Sequence, residues 1–200
     1  MIAVIDYHVG NLGSVTNALR RLDMDVEVTS DPQVILQADG VILPGVGTFP
    51  VAMKNLENEH LIEVLNEVKA KKTPIMGICL GMQVLFDKGY EVEETKGLGF
   101  LDGEVKYMDD VKAKIPHMGW NSLHLENDGR LFKGIAENSY VYFVHSYYLK
   151  AEEEQIVKAS TEYTTHIHAS VEKDNIFACQ FHPEKSSDVG LKILKNFVEL

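Results

Sequence analysis

The apolar positions of this chain change period along its length. Ile2 to Ile5 (IAVI) is an uninterrupted apolar run, the pattern of a strand covered on both faces. After Asn11, a suitable N-cap, Leu12, Val15, Ala18, Leu19 and Leu22 recur at the helical period. Further strands are predicted over Val26 to Val28 and Val41 to Leu43, and the segment that follows puts Leu61, Ile62, Leu65 and Val68 on one helical face. Pro74 to Ile78 reads as a fourth strand, with a helix expected to begin near Leu80. Strands separated by helices of this length imply right-handed crossovers and a mainly parallel sheet with helices on both faces.

From Phe100 to Gln180 the pattern differs. β-rich runs such as Tyr140 to Val144 and Ile176 to Gln180 lie between polar turns with no long helix among them, which predicts hairpins or antiparallel additions to the sheet. Val189 to Val198 is the last helix, and residues 91 to 96 (EVEETK) read as a solvated charged loop. The expected class is α/β. With 200 residues, 45% of them apolar, the chain supports one sizeable core, so a single domain over residues 1–200 is expected. No internal repeat or linker-like stretch interrupts it.

Charge narrows the functional classes. A formal net charge of −11 disfavours binding to a phosphate backbone or an anionic lipid surface, both of which need clustered Lys and Arg. No apolar run approaches the roughly 18 residues of a membrane span, and MIAVIDYHVGN lacks the basic start of a signal peptide. Two cysteines, Cys79 and Cys179, do not make a disulfide framework in a chain this long; reduced thiols and a cytoplasmic location are expected.

Cys79 carries the first chemical signal. In G-I-C-L-G it stands between Gly77 and Gly81, where a strand should turn into a helix, and ligand sites of open α/β sheets gather beyond the carboxyl ends of strands. This is a cysteine version of a nucleophile elbow, and the positive end of a helix dipole there favours a thiolate. Free cysteine is also a common core residue, so on the elbow alone the packed and the nucleophilic readings stay open. The second signal is C-Q-F-H-P-E-K. In extended chain His182 and Glu184 share a face, which lets Glu184 hold one imidazole tautomer while the other ring nitrogen meets a nucleophile. Together these residues make a nucleophile, a base and an orienting acid. An α/β-hydrolase places the acid before the histidine, and a papain-like protease uses Asn; neither order is found here.

At these residues the chain resembles the class I, triad-type glutamine amidotransferases, and among them the glutaminase subunits of imidazole glycerol phosphate synthase. The resemblance spans the whole chain: D-Y-x-x-G-N at Asp6 to Asn11, P-G-V-G at 44 to 47, G-I-C-L-G-M-Q at 77 to 83, P-H-M-G-W-N at 116 to 121, F-V-H-S-Y at 143 to 147 and F-H-P-E-K-S at 181 to 186. It implies that fold and the hydrolysis of L-glutamine to glutamate and ammonia, with Cys79 as nucleophile, His182 as proton shuttle and Glu184 as its orienting group. It further implies an oxyanion hole from Leu80 and the segment at Val46 and Gly47, and glutamine binding by Gly47, Gln83, Ser146 and Tyr147. The partner implied is a cyclase subunit with a (β/α)8 barrel, in a heterodimer of histidine biosynthesis that yields imidazole glycerol phosphate and aminoimidazole carboxamide ribotide. Trp120, Asn121 and Lys185 would lie at that interface. No cofactor and no metal are implied.

One position departs from the family. His8 stands where relatives usually have glycine, so the first loop is expected to differ in shape or to bring an imidazole toward the partner surface. Three other readings fit less well. A glutaminase serving pyridoxal phosphate synthesis does not match P-G-V-G and G-W-N as closely, and a non-catalytic partner protein would not need an intact triad. A metal centre built on His166 and His168 lacks H-E-x-x-H or C-x-x-C spacing.

Overall fold

The computed structural model describes residues 1–109 and 113–200. The first half alternates strand and helix: β1 (Ile2–Ile5), α1 (Leu12–Arg20), β2 (Val26–Thr29), α2 (Pro32–Gln37), β3 (Gly40–Gly45), α3 (Phe49–Asn58), α4 (Leu61–Ala70), β4 (Ile75–Cys79) and α5 (Leu80–Gln83). The second half is mostly strand: β5 (Phe86–Gly89), β6 (Thr95–Lys96), β7 (Leu101–Tyr107), β8 (His117–Ser122), β9 (His124–Leu125), β10 (Tyr140–His145), β11 (Tyr147–Ala151), β12 (Val157–Glu162), β13 (His166–Lys173) and β14 (Ile176–Cys179), closed by α6 (Ser187–Val198).

Eight strands form the central sheet in the order β2-β1-β3-β4-β14-β13-β12-β9. It is parallel from β2 to β14 and antiparallel beyond, as the change of pattern near Phe100 predicts. Strand β14 is the join: its sequence groups it with the antiparallel additions, yet it pairs parallel with β4 on one side and antiparallel with β13 on the other. A four-stranded sheet, β11-β7-β5-β6, and a β10-β8 ribbon pack beside the central sheet.

Alternate residues of β1 enter opposite cores, because successive side chains of a strand point to opposite faces. Ala3 and Ile5 join Ile35, Leu56, Leu61 and Leu65 of α2, α3 and α4. Ile2 and Val4 join Val15, Leu19, Ile193 and Phe197 of α1 and α6. The cap read from sequence is in place: Asn11 accepts from the Ser14 N–H at 3.3 Å, and Asp31 likewise caps α2 ahead of Pro32.

The helix expected near Leu80 does begin there, but it is a single turn, because Val84, Leu85 and Phe86 are fully buried on all sides and lead straight into β5 of the second sheet. One expectation is corrected. Residues 91 to 96 are not simply a solvated loop: Thr95 and Lys96 form β6, and the half-buried Glu91 carboxylate accepts the Phe49 N–H at 2.8 Å.

The ends of β3 and β4 meet the turn of α5 with no room for side chains. A Cβ on Gly81 would overlap the Leu43 carbonyl oxygen, one on Gly77 would come within 2.6 Å of the Gly81 oxygen, and one on Gly45 within 2.8 Å of the Gly81 nitrogen. These contacts are backbone to backbone and cannot yield by rotamer change. Gly81→Ala is therefore expected to cost about 3 kcal/mol or more, read as a lower urea midpoint. Gly13→Ala, whose Cβ meets open space in α1, is expected to be neutral or to gain up to about 1 kcal/mol.

Candidate active site

Cys79 closes β4 and opens α5 with φ 56° and ψ −112°. Positive φ with this ψ lies outside even the left-handed helical basin and costs a residue with a Cβ about 1–3 kcal/mol, and residues held so cluster at functional sites. The flanking glycines do not take up that strain. Gly77 and Gly81 keep ordinary backbone angles and supply space, so the sharp turn falls on the cysteine itself. Its Sγ, nearly buried, lies 3.8 Å from the Val144 carbonyl and accepts from Gln180 Nε2 at 3.7 Å. With α5 one turn long, little helix dipole acts on the thiol.

His182 and Glu184 follow the parallel strand next to β4. They come together by a tighter route than extended chain, since His182 precedes a 3₁₀ turn over Pro183–Lys185 that folds Glu184 back under the ring. His182 Nδ1 to Glu184 Oε1 is 2.7 Å, with side chains 2% and 1% exposed. The His182 N–H donates to the Tyr142 carbonyl at 2.9 Å, the Ser186 hydroxyl donates to the His182 carbonyl at 2.6 Å, and the Tyr142 N–H donates to Ser186 Oγ at 2.9 Å. This weave hangs the histidine from β10. His182 Nε2 and Glu184 Oε2 are buried without a hydrogen-bond partner of normal geometry. Burial alone would lower the His182 pKa, but the adjoining Cys79 and Glu184 outweigh it and raise the value above the usual histidine range.

A cavity of about 250 Å³ opens over the thiol. It brings together Cys79, His182, Val46, Gly47, Leu80, Gln83, Ser146 and Tyr147, every residue expected at the triad, oxyanion hole or substrate site except Glu184, which stands behind His182. The P-G-V-G segment is anchored by Tyr7, whose buried hydroxyl donates to the Pro44 carbonyl at 2.6 Å; Gly47 then takes φ +102°. Gln83, expected at the substrate site, lines the cavity with its amide already engaged. Its amide donates to the Tyr147 carbonyl (3.1 Å) and to Gln180 Oε1 (3.0 Å), so its protons already have partners.

Three polar residues at or next to the cavity fall outside the sequence reading, as does Val144 on its lining. Glu91 supplies an acidic group, with burial raising its pKa and the Phe49 N–H opposing that; it lies within a charge run that reads as surface. His145 also lines the cavity, and Gln180 reaches the thiol from beneath. Both sit inside quoted motifs, F-V-H-S-Y and C-Q-F-H-P-E-K, but nothing in their spacing points to the cleft.

Of the residues expected at an interface, Trp120 is half exposed with its ring edge on Tyr142, Lys185 is exposed, and Asn121 is partly buried, with its amide donating to the Glu162 carbonyl at 2.9 Å. His8 adopts φ 66°, the region where glycine costs nothing, and its exposed ring pairs with Glu59 at 2.9 Å. The imidazole is thus tied to the end of α3.

The family described as glutamine amidotransferase class-I matches residues 3–200. The chain is 50% identical over 199 residues to the imidazole glycerol phosphate synthase subunit HisH of Moorella thermoacetica, covering 100% of this chain and 94% of that one. It is 48% identical to subunit HisH 1 of Campylobacter jejuni, with both chains covered in full. Among solved structures, PurLQS of Thermotoga maritima superposes with a TM-score of 0.77 at 18% identity, over 99% of this chain and 97% of that one. The glutaminase domain of Trypanosoma brucei CTPS gives 0.68 at 17%, over 99% and 93%. At those identities the superpositions speak for the fold.

Two further imidazoles near the cleft shape the response to pH. Burial pushes His117 down to about 4 and His145 to about 3, although a bond to the Tyr147 carbonyl partly opposes the latter shift. Both are neutral when folded and take up protons on unfolding below the ordinary value of about 6.5. Their contribution is complete above about pH 6.5 and falls away toward pH 4, whereas the raised pKa of His182 favours the fold below about 6.5 and loses that effect as pH rises above the histidine range. Urea titrations are expected to show stability decreasing from about pH 6.5 to pH 4.5, with a shallower slope in His117→Phe.

Proposed function

The chain belongs to the glutamine amidotransferase class-I family, among the HisH subunits of imidazole glycerol phosphate synthase, and we propose that it hydrolyses L-glutamine in the cleft of Cys79, His182 and Glu184. Its role is that of the glutaminase subunit serving histidine biosynthesis. Residues 1–200 act as one amidotransferase domain.

Cys79 gives its thiol proton to His182 Nε2 as Sγ attacks the side-chain carboxamide carbon of glutamine, and the carbonyl π electrons pass to oxygen. The N–H groups of Leu80 and of the Val46–Gly47 segment receive that oxyanion, an interaction whose loss typically costs ~10²–10³ in rate. His182 gives its Nε2 proton to the departing nitrogen, the C–N bond breaks, and ammonia leaves a thioester on Cys79. Water then adds to the thioester carbon, giving a proton to His182; the tetrahedral intermediate collapses, the C–S bond breaks, that proton returns to Cys79 Sγ, and glutamate is released. Glu184 holds Nδ1 throughout and stabilises the imidazolium. Glu91 suits the α-ammonium of the substrate, while Gly47, Gln83, Ser146 and Tyr147 bound the rest of the amino acid.

Ammonia passes to a cyclase subunit with a (β/α)8 barrel, docked as a heterodimer over Trp120, Asn121 and Lys185, which performs the lyase half of the reaction in the cytoplasm. It yields imidazole glycerol phosphate and aminoimidazole carboxamide ribotide. The half-exposed Trp120 on a loop-edged ribbon suits an interface anchor.

The observation that carries this reading is the meeting, in one cavity, of a positive-φ Cys79 with an imidazole held from behind by a buried carboxylate at 2.7 Å. Glutamate release is expected to be slow for the protein alone, to rise strongly once the cyclase partner and its nucleotide ligand are added, and to vanish in Cys79→Ala while partner binding survives. Glu184→Gln is expected to lose up to ~10⁴ in turnover. Fast release indifferent to the cyclase would mean another partner; release that persists in Cys79→Ala would rule out the proposed nucleophile.

A further inference from the structure

A line of uncharged side chains runs behind the cleft from β8 to the thiol. Asn121 Nδ2 is 3.3 Å from His117 Nε2, His117 Nδ1 is 3.0 Å from His145 Nε2, and His145 Nδ1 is 2.8 Å from the Tyr147 carbonyl oxygen. That carbonyl also accepts from Gln83, Gln83 donates to Gln180, and Gln180 donates to Cys79 Sγ.

Only one arrangement of protons satisfies the line. The Tyr147 carbonyl can only accept, so His145 carries its proton on Nδ1 and accepts at Nε2. His117 must therefore donate from Nδ1 and accept at Nε2 from the Asn121 amide. That amide is itself oriented, because its oxygen accepts the Ser122 N–H at 2.8 Å and its nitrogen donates to the Glu162 carbonyl at 2.9 Å. A second proton on either ring would set two donors against each other. The His117 ring is also clamped between Phe143 and Tyr163, with centroids at 4.7 and 4.1 Å.

The line closes a junction that no single ladder holds. β10 belongs to the ribbon with β8, and β11 to the sheet with β7, so the chain changes sheets at Ser146. The His145 ring spans that change by bonding two residues ahead.

We propose that His117 and His145 are positioning residues for glutamine hydrolysis, forming a directional hydrogen-bond chain that holds the Tyr147 carbonyl, Gln83 and Gln180 in register with Cys79 and ties that register to β8, the strand of Trp120 and Asn121. The inference rests on the proposed glutaminase reading of the cleft. It gives the two histidines a task distinct from proton transfer, which belongs to His182.

The test uses the complete two-subunit enzyme with cyclase ligand present. His117→Phe keeps the stacking and removes both hydrogen bonds; kcat for glutamate release is expected to fall about tenfold, the scale of one lost buried hydrogen bond, with KM changing less than about threefold. His117→Asn can place an amide N–H where Nδ1 stood and is expected to return to within about threefold of the unaltered rate. Imidazole ¹⁵N spectra of the unaltered protein at neutral pH are expected to show both rings neutral with the proton on Nδ1, a readout that needs no turnover and no variant. An unaltered rate in His117→Phe, equal loss in the Phe and Asn variants, or a proton on Nε2 of either ring would overturn the proposal. Glutamate release that survives Cys79→Ala would instead count against the reading of the cleft, leaving the spectra to judge the hydrogen-bond chain alone.

Discussion

The site depends on one backbone constraint, the positive-φ turn at Cys79 where β4 gives way to α5. That conformation is unfavourable for any residue with a Cβ, so the surroundings must over-determine it. They do so by close approach. Gly45 of β3, Gly77 of β4 and Gly81 of α5 let three backbones meet where side chains would collide, and the Tyr7 hydroxyl pins Pro44 against the same point. With the turn held from several sides, the thiol projects over the sheet end and the P-G-V-G segment is brought to its rim.

The two halves of the chain contribute different parts. The parallel half supplies Cys79, the proposed nucleophile, at a strand's carboxyl end, the usual place for a site in an α/β sheet. The later half supplies His182, the proposed base, and much of the wall. β14 lies directly beside β4, and this parallel pairing sets His182 next to Cys79 although about a hundred residues separate them. β10 holds His182 through its backbone and, at Tyr142, touches the Trp120 ring. The strand that holds His182 is thus the one bonded to the strand that carries the exposed tryptophan.

Electrostatically, the cleft is far more restrained than the net charge of −11 suggests. Among the described residues, Glu91 on the wall and Glu184 behind His182 bring carboxylates to it, and the neighbouring His117 and His145 are kept neutral by burial. Neutral donors and acceptors cost little to bury when every member is paired, and they add no further charge beside Cys79 and His182.

The chemistry is legible in the sequence because its signals are local. The glycines around Cys79, the two-residue step from His182 to Glu184 and the change from helical to β pattern near Phe100 are all short-range features, and a triad's residue types are few. The α/β order follows from periodicity alone. Glu91, His145 and Gln180 are not legible, since each acts across sequence gaps that no period records: Glu91 reaches Phe49, His145 reaches His117, and Gln180 reaches Cys79. The length of α5 is also hidden, because total burial of Val84 to Phe86 erases the contrast of faces from which a helix is read. The residues themselves determined which strands and helices could form and which groups could react. Tertiary packing decided where Cys79 carries its strain and which amides face it, because hydrogen-bond partners and backbone approach are set by distance in space rather than by separation along the chain.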